Sequence, residues 1–66
     1  MNREMLIKEI KAKSSYEEMA KVLGMNLSTF YRKIGGQNNF SIQDAVKIKN
    51  HLNLSKAKVT SIFFDE

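Results

Sequence analysis

The side chains best suited to chemistry with a partner lie together near the middle of the chain. They are hydroxyl or cationic groups at helical spacing: Ser28, Thr29, Arg32 and Lys33. Residues three and four apart lie on one side of a helix, so these groups would share a face. Hydroxyl groups and a guanidinium fork can hydrogen-bond to base edges in the major groove of DNA. The pattern therefore favours contact with double-stranded DNA.

Each of these side chains also has a plainer interpretation. Arg32 is the best candidate for reading a base, because its planar fork matches O6 and N7 of guanine, but a phosphate contact or an exposed surface charge stays open. Ser28 and Thr29 can contact DNA or can satisfy backbone groups in the first turn of their helix. Leu27 can meet a thymine methyl group or join the core.

Two short helices within residues 15–34 are predicted to position this face. Ser15 and Glu18 match a capping box at the start of the first helix. Gly24 stands where that helix must end and the chain must take a positive φ. Asn26 can cap the second helix. The apolar residues of the second helix recur at i, i+3, i+4 and i+7: Leu27, Phe30, Tyr31 and Ile34. We expect the ring of Tyr31 to pack inward with this stripe, while its hydroxyl can stay in contact with water.

Three further helices are predicted around this pair. The first covers residues 3–13 behind Asn2 as its cap, with Leu6, Ile7 and Ile10 facing inward. The fourth runs from a cap at Ser41, with Asp44 at the third helical position, to about residue 52. Its apolar residues available for the core are Ile42, Ala45, Val46, Ile48 and Leu52. The last opens at residues 54–55, and its inner stripe is Val59, Ile62 and Phe63. The prediction is an all-α fold, a compact bundle of about five helices in one domain, residues 1–66.

Composition narrows the class of protein. Eleven Lys and Arg against seven Asp and Glu give a net charge of +4, which weakly favours a polyanionic partner. The absence of cysteine and the single histidine, His51, argue against a disulfide framework and a usual zinc site. No apolar run approaches the roughly 20 residues that span a membrane, and we expect no signal peptide. The acidic residues show no pairing suited to acid–base catalysis. We expect a cytoplasmic protein that is not an enzyme and has no cofactor, metal or small-molecule substrate.

The pattern of helices and caps resembles the lambda-repressor and Cro-like helix-turn-helix family of phage and bacterial regulators. The most specific stretch is EEMAKVLGMNLSTF at residues 17–30, and FSIQDAVKI at residues 40–48 with HLNLS at 51–55 also resembles the family's fourth helix and its exit. The resemblance implies that Ala20 lies where the two motif helices cross, and that Gly24 forms the turn between them. It also implies phosphate contacts from the start of helix two and from the loop at residues 35–39, including the amides of Gly35 and Gly36. A plain C-terminal cap of helix three explains these two glycines equally well.

The chain departs from the family at three positions. Tyr16 replaces a glutamine that contacts phosphate, and a phenol hydroxyl can also donate to phosphate. Lys33 replaces an apolar residue, which leaves open how helix three is rotated. Leu27 replaces a base-reading Gln or Arg. The predicted DNA-binding residues are Tyr16, Asn26, Leu27, Ser28, Thr29, Arg32, Lys33, Gln37 and Asn38.

Two functions from different classes fit these observations. One is a Cro-like transcriptional regulator that binds an operator through helix three; the other is a small phage antirepressor that binds a repressor protein through the same fold. Phe64 bears on assembly, because it lies about 100° beyond the inner stripe of the last helix. Either a homodimer partner or a different protein covers its ring, or the helix frays after Ile62 and Phe64 folds back onto helix one.

Overall fold

Five α-helices make up the secondary structure of residues 1–64, which are the residues that the computed structural model describes. In chain order they are α1 (Arg3–Lys13), α2 (Tyr16–Leu23), α3 (Leu27–Ile34), α4 (Ile42–Leu52) and α5 (Lys56–Phe63). No β-strand occurs in this part of the chain. The predicted all-α fold of about five helices is therefore confirmed.

Each helix begins after a polar side chain that accepts a hydrogen bond from a backbone N–H of the first turn. These caps are Asn2, Ser15, Asn26, Ser41 and Ser55. Such a cap typically contributes about 1 kcal/mol, because it satisfies an N–H that has no partner inside the helix. At α4 the cap is reciprocal, since the Asp44 carboxylate also accepts from the Ser41 N–H at 3.1 Å. The capping box predicted at α2 is only half formed. Ser15 Oγ accepts from the Glu18 N–H at 3.1 Å, but within residues 1–64 the Glu18 side chain accepts no hydrogen bond from the Ser15 N–H.

Two helices end at a residue in the left-handed conformation. Gly24 closes α2 with φ of 70°, as predicted, and Asn53 closes α4 with φ of 53°. Glycine adopts this conformation without steric cost, and asparagine tolerates it better than most side chains. Only residues 24–26 separate α2 from α3, so the two helices follow each other closely and pack together.

All five helices contribute to one core, and an aromatic row runs through it. The buried apolar residues are Leu6, Ile10, Met19, Ala20, Leu23, Phe30, Ile34, Ile48, Leu52, Leu54 and Ile62. The ring of Phe30 lies at the centre of the row, with centroids 5.6 Å from Tyr16 and 6.0 Å from Phe40. Phe40 in turn meets Phe63 edge-on at 6.5 Å. The row therefore joins α2 and α3 to α5 through Phe40, which lies just before the cap of α4.

The predicted core face of α4 is partly wrong. Ile48 and Leu52 are buried, but Ile42 is 81% exposed and Val46 is 51% exposed. Asp44, which is also buried, lies four residues before Ile48 and defines the inward face with it. Because each residue turns the helix by about 100°, Ile42 lies roughly 200° from Asp44 and faces away from the core.

A carboxylate on α1 joins this helix to α5. Glu9 pairs with Lys13 at 2.9 Å and with Lys58 of α5 at 3.3 Å. The hydrogen bond from Lys13 lowers the pKa of the Glu9 carboxyl against the opposing effect of desolvation, and Lys58 lowers it further. Lys13 Nζ also donates to the carbonyl of Leu52 at 3.1 Å, so one cation links α1 to the end of α4.

The last helix continues through Phe63, and Phe64 follows at its C-terminal cap. Ile62 is fully buried while Val59 and Phe63 pack partly against the core, which confirms the predicted stripe. The Phe64 side chain is 66% exposed, and its N–H donates to the carbonyl of Thr60. The alternative in which the helix frays and Phe64 folds back onto α1 is therefore wrong.

Two features are absent from residues 1–64. None of their helices has the length and apolar character needed to cross a membrane. The same residues contain no group of three or more His, Cys, Asp or Glu side chains that could hold a metal ion.

Candidate nucleic-acid interface

The exposed face of α3 carries Ser28, Tyr31 and Arg32. These residues are spaced i, i+3 and i+4, so they lie side by side over one turn. Phe30 and Ile34, on the opposite side, are buried and anchor the helix to the core. With eight residues, α3 is about 12 Å long. The arrangement presents hydroxyl, phenol and guanidinium groups together on a short, firmly packed helix.

Arg32 is the charged member of this face. Its side chain is exposed and forms no salt bridge within residues 1–64. An unpaired guanidinium can donate two parallel hydrogen bonds to the O6 and N7 atoms of guanine, or to two oxygens of a phosphate. The sequence-based choice of Arg32 as a candidate contact is thus compatible with its position.

Tyr31 is a member of the face that the sequence analysis assigned to the core. That prediction is wrong, because Tyr31 is 50% exposed. Phe30 and Ile34 fill the space beneath α3, and the Tyr31 ring instead meets the ring of Tyr16 edge-on, with centroids 5.5 Å apart. The i, i+3 spacing of Tyr31 from Ser28 is a sequence signal that both side chains lie on the same face of α3. Tyr31 also fits the apolar periodicity of the helix, and that fit predicts a core position instead.

Tyr16 supports this face from the start of α2. Its ring is half-buried between Phe30 and Tyr31, with centroid distances of 5.6 and 5.5 Å. Two phenol rings from different helices therefore lie next to each other at one side of the α3 face. Phenol hydroxyls can both donate and accept hydrogen bonds, which suits them to phosphate or base oxygens.

Lys33 is directed away from this face. Its ammonium lies 2.9 Å from a carboxylate oxygen of Asp44 and 6.0 Å from the centroid of the Phe40 ring. Burial tends to raise the pKa of the Asp44 carboxyl, but the hydrogen bonds from Lys33 and from the Ser41 N–H outweigh it and hold the pKa below its ordinary value. The Lys33 side chain thus joins α3 to α4, and the cation is occupied within the chain.

At the start of α3, hydrogen bonds within the chain determine which polar groups can still donate to a partner and which can only accept. Asn26 Oδ1 accepts from the Thr29 N–H at 2.8 Å and from Ser28 Oγ at 3.0 Å. Because Ser28 donates its hydroxyl proton to Asn26, the Ser28 oxygen can only accept a hydrogen bond from a binding partner. Such an acceptor suits the exocyclic amino group of adenine or cytosine. Thr29 is half-buried, and Leu27 packs partly against the core, which favours the structural alternative for both.

The loop at residues 35–39 does not offer free backbone amides at its start. The N–H groups of residues 35–38 donate to carbonyls in the last turn of α3, at distances from 2.9 to 3.4 Å. The amides of Gly35 and Gly36 are therefore occupied, and the phosphate contact that the resemblance implies for them is wrong in this conformation. Gln37 and Asn38 have exposed side chains, which remain available. Arg3 reaches the same loop from α1 and donates to the Gly35 carbonyl at 2.7 Å.

Comparison with known proteins adds no family to this description. The chain matches no protein-family model, no curated protein and no solved structure. The case for the site therefore depends on its own residues and their geometry.

Proposed function

We propose that this protein binds double-stranded DNA in a sequence-specific manner and acts as a transcriptional regulator, with α3 inserted into the major groove. The observation that carries the proposal is the exposed row of Ser28, Tyr31 and Arg32 on a helix whose other side is anchored by Phe30 and Ile34. The major groove is about 12 Å wide and admits one α-helix.

Roles within the complex follow from the hydrogen-bonding capacity of each side chain. Arg32 would donate to the O6 and N7 atoms of a guanine, and Ser28 would accept from an exocyclic amino group. Tyr16 and Tyr31 would donate to phosphates at the edge of the groove, because their rings lie together beside the base-facing groups. The unused amide N–H₂ of Asn26 is a further donor at the same end of the helix.

The distribution of charge supports the same partner. The chain carries a net charge of +4. Among residues 1–64, three of the eleven Lys and Arg side chains are paired with Glu9 or Asp44, and Arg32 is one of the eight that form no salt bridge. A positively charged protein is drawn to DNA by release of condensed counterions, and an unpaired cation on the docking helix adds to that attraction.

Selection from a random duplex library tests the proposal. The purified protein should enrich a defined DNA motif over successive rounds, and gel shifts should then show binding to that motif in preference to scrambled DNA. Arg32→Ala should lose this preference. Lys47→Ala is the matched control, because Lys47 is an exposed cation on α4 and should bind as wild type does. Failure of the wild-type protein to enrich any motif would contradict the proposed function.

A second candidate is a protein-binding modulator, for instance one that masks the DNA surface of a repressor. The specific observation in its favour is the exposure of Ile42, Val46 and Phe64 on α4 and at the end of α5. Large apolar side chains exposed together commonly mark a protein interaction site. Under this alternative, Val46→Ser should abolish binding to the repressor, and Arg32→Ala should leave that binding unchanged.

A further inference from the structure

An apolar groove of about 190 Å³ runs between α4 and α5. Ile42 and Val46 line it from α4, Val59 and Phe63 from α5, and Phe64 stands at its rim. Typical small-molecule sites have volumes of about 300–1,000 Å³ and enclose most of their ligand. This groove is smaller and bordered by exposed side chains, so it suits a few apolar side chains projecting from another protein.

The charges along the groove are unevenly distributed. Lys49 lines it in the last turn of α4, and Lys56 begins α5 on the same face as Val59 and Phe63. Only residues 53–55 separate α4 from α5, so Lys49 lies at the end of the groove next to this turn, and Lys56 lies beside that end without lining it. Within residues 41–64 the one carboxylate is Asp44, and it is buried and paired with Lys33. The groove therefore has an apolar end and a basic end, and the two cations at the basic end form no salt bridge within residues 1–64.

We propose that this groove binds an amphipathic helical segment of a second protein that carries carboxylates at one end. Apolar side chains at i, i+3 or i+4, and i+7 would enter between α4 and α5, as amphipathic helices do in other grooves. The acidic end of the segment would lie over Lys49 and Lys56, where opposite charges favour one direction of binding and exclude basic segments.

A second copy of this chain fits the groove less well. A parallel two-fold arrangement would bring Lys49 and Lys56 of one copy towards the same cations of the other. An antiparallel arrangement would place these cations over Ile42 and Phe64. In both arrangements the cations meet either cations or apolar side chains of residues 41–64, whereas an acidic segment of a different protein would pair with them.

Binding in the groove is independent of DNA binding. The groove is formed by α4, α5 and the residues just before α4, and it shares no residue with the exposed face of α3. Variants in either surface therefore separate the two proposals. Arg32→Ala should leave the groove intact, and Val46→Ser should leave DNA recognition intact.

The test is a displayed library of random peptides of about 16 residues, long enough for about four helical turns. It is selected on the full chain and counter-selected on the double variant Ile42→Ser, Val46→Ser. Both side chains are exposed in the native fold, and circular dichroism melting verifies that the double variant is folded. Enriched peptides should combine the apolar spacing with Asp or Glu at one end. In fluorescence anisotropy, replacing those acids by Lys should weaken binding about tenfold.

A charge exchange completes the test. Lys49→Glu with Lys56→Glu should bind the Lys-substituted peptide better than the acidic one, while Arg32→Ala should bind as wild type does. The proposal is overturned if no peptide is enriched over the double variant, or if the enriched peptides show no acidic bias. It is also overturned if the wild-type chain sediments as a dimer that Val46→Ser dissociates, because the occupant is then a second copy.

Discussion

The ammonium of Lys33 lies 2.9 Å from a carboxylate oxygen of Asp44, and this pair joins α3 to the first turn of α4. The same carboxylate accepts from the Ser41 N–H at 3.1 Å and so completes the cap of α4. Asp44 therefore has two partners in a site where its residue is only 8% exposed. The pair explains why α3 carries a cation, with its ammonium 6.0 Å from the centroid of the Phe40 ring, where the resemblance implies an apolar residue.

Asp44→Asn should destabilise the protein in a pH-dependent manner. In the wild-type protein the folded-state pKa of Asp44 lies below its ordinary value of 3.8. The ionised carboxylate therefore stabilises the fold above pH 3.8, and this stabilisation is lost as the pH falls through the folded-state pKa. At pH 7 the variant should lose about 1–3 kcal/mol of unfolding free energy, because a charged hydrogen bond to Lys33 is removed. Urea unfolding across the acidic range measures this, and the difference between wild type and variant should shrink at low pH. Glu4→Gln, in an exposed first-turn position of α1, is the control. Equal stability at neutral pH would contradict the structural role of Asp44.

The ends of the helices could be predicted because they depend on residues close in sequence. Asn2, Ser41 and Ser55 cap α1, α4 and α5, and Gly24 ends α2 in the left-handed conformation. Each of these features involves a side chain and a backbone group within a few residues of each other, so a single sequence contains the necessary information. The all-α fold followed from several such agreements.

The rotation of individual helices could not be predicted in the same way. Tyr31 and Ile42 both fit an apolar periodicity, yet both are exposed. The spacing of Lys33 predicts a place on the DNA-binding face, but its ammonium bonds to Asp44, eleven residues further along the chain. Local spacing does not reveal such a partner, and small helices have little apolar surface with which to fix their orientation alone. The composition of the α3 face therefore changed, although Ser28 and Arg32 remain on it.

Substitutions of Gly24 should separate backbone conformation from packing. A Cβ at this position would meet no heavy atom within 4 Å, so any destabilisation arises from the positive φ. Gly24→Val should cost more than about 1 kcal/mol, because a β-branched residue strongly resists this conformation. Gly24→Asn should cost less, since Asn53 adopts the same conformation at the end of α4. Thermal melting of both variants gives the comparison, and an equal loss for the two would refute a conformational cause.

Ala20→Leu should overfill the core between α2 and its neighbours. Ala20 is 4% exposed, and α2 packs against both α3 and α4. Added methylene groups in a well-packed core typically cost about 1–3 kcal/mol. The control is Ala57→Leu, because Ala57 is exposed on α5 and should accept the larger side chain with little change. Denaturant unfolding of the two variants should therefore differ, and similar stabilities would mean that α2 can move to make room.

Substitution of Arg32 should change the preference among DNA sequences more than general affinity for DNA. If its guanidinium reads guanine, Arg32→Ala should cost about 1–3 kcal/mol on the selected motif and relax the preference at one base pair. Arg32→Lys should restore attraction to phosphates but not the bidentate geometry. Anisotropy titrations on the motif and on scrambled duplex measure both effects. An equal loss on the two duplexes would assign Arg32 to a phosphate.

The salt dependence of binding should distinguish the proposed DNA partner from a protein partner. Each phosphate that a Lys or Arg neutralises releases condensed counterions, so log affinity should fall linearly with log salt by about 0.9 per contact. Tyr16, Gln37 and Asn38 are neutral and would add phosphate contacts without steepening this slope, so the slope would come from exposed lysines that reach phosphates beside the docked helix. Arg32→Ala should leave the slope unchanged if Arg32 reads a base, and should reduce it by about 0.9 if Arg32 contacts a phosphate. Titrations of wild type and Arg32→Ala on duplex DNA at several salt concentrations provide the two slopes.

Binding to DNA that hardly responds to salt would contradict the docking of a cationic face on the phosphate backbone, and would favour the protein-binding modulator.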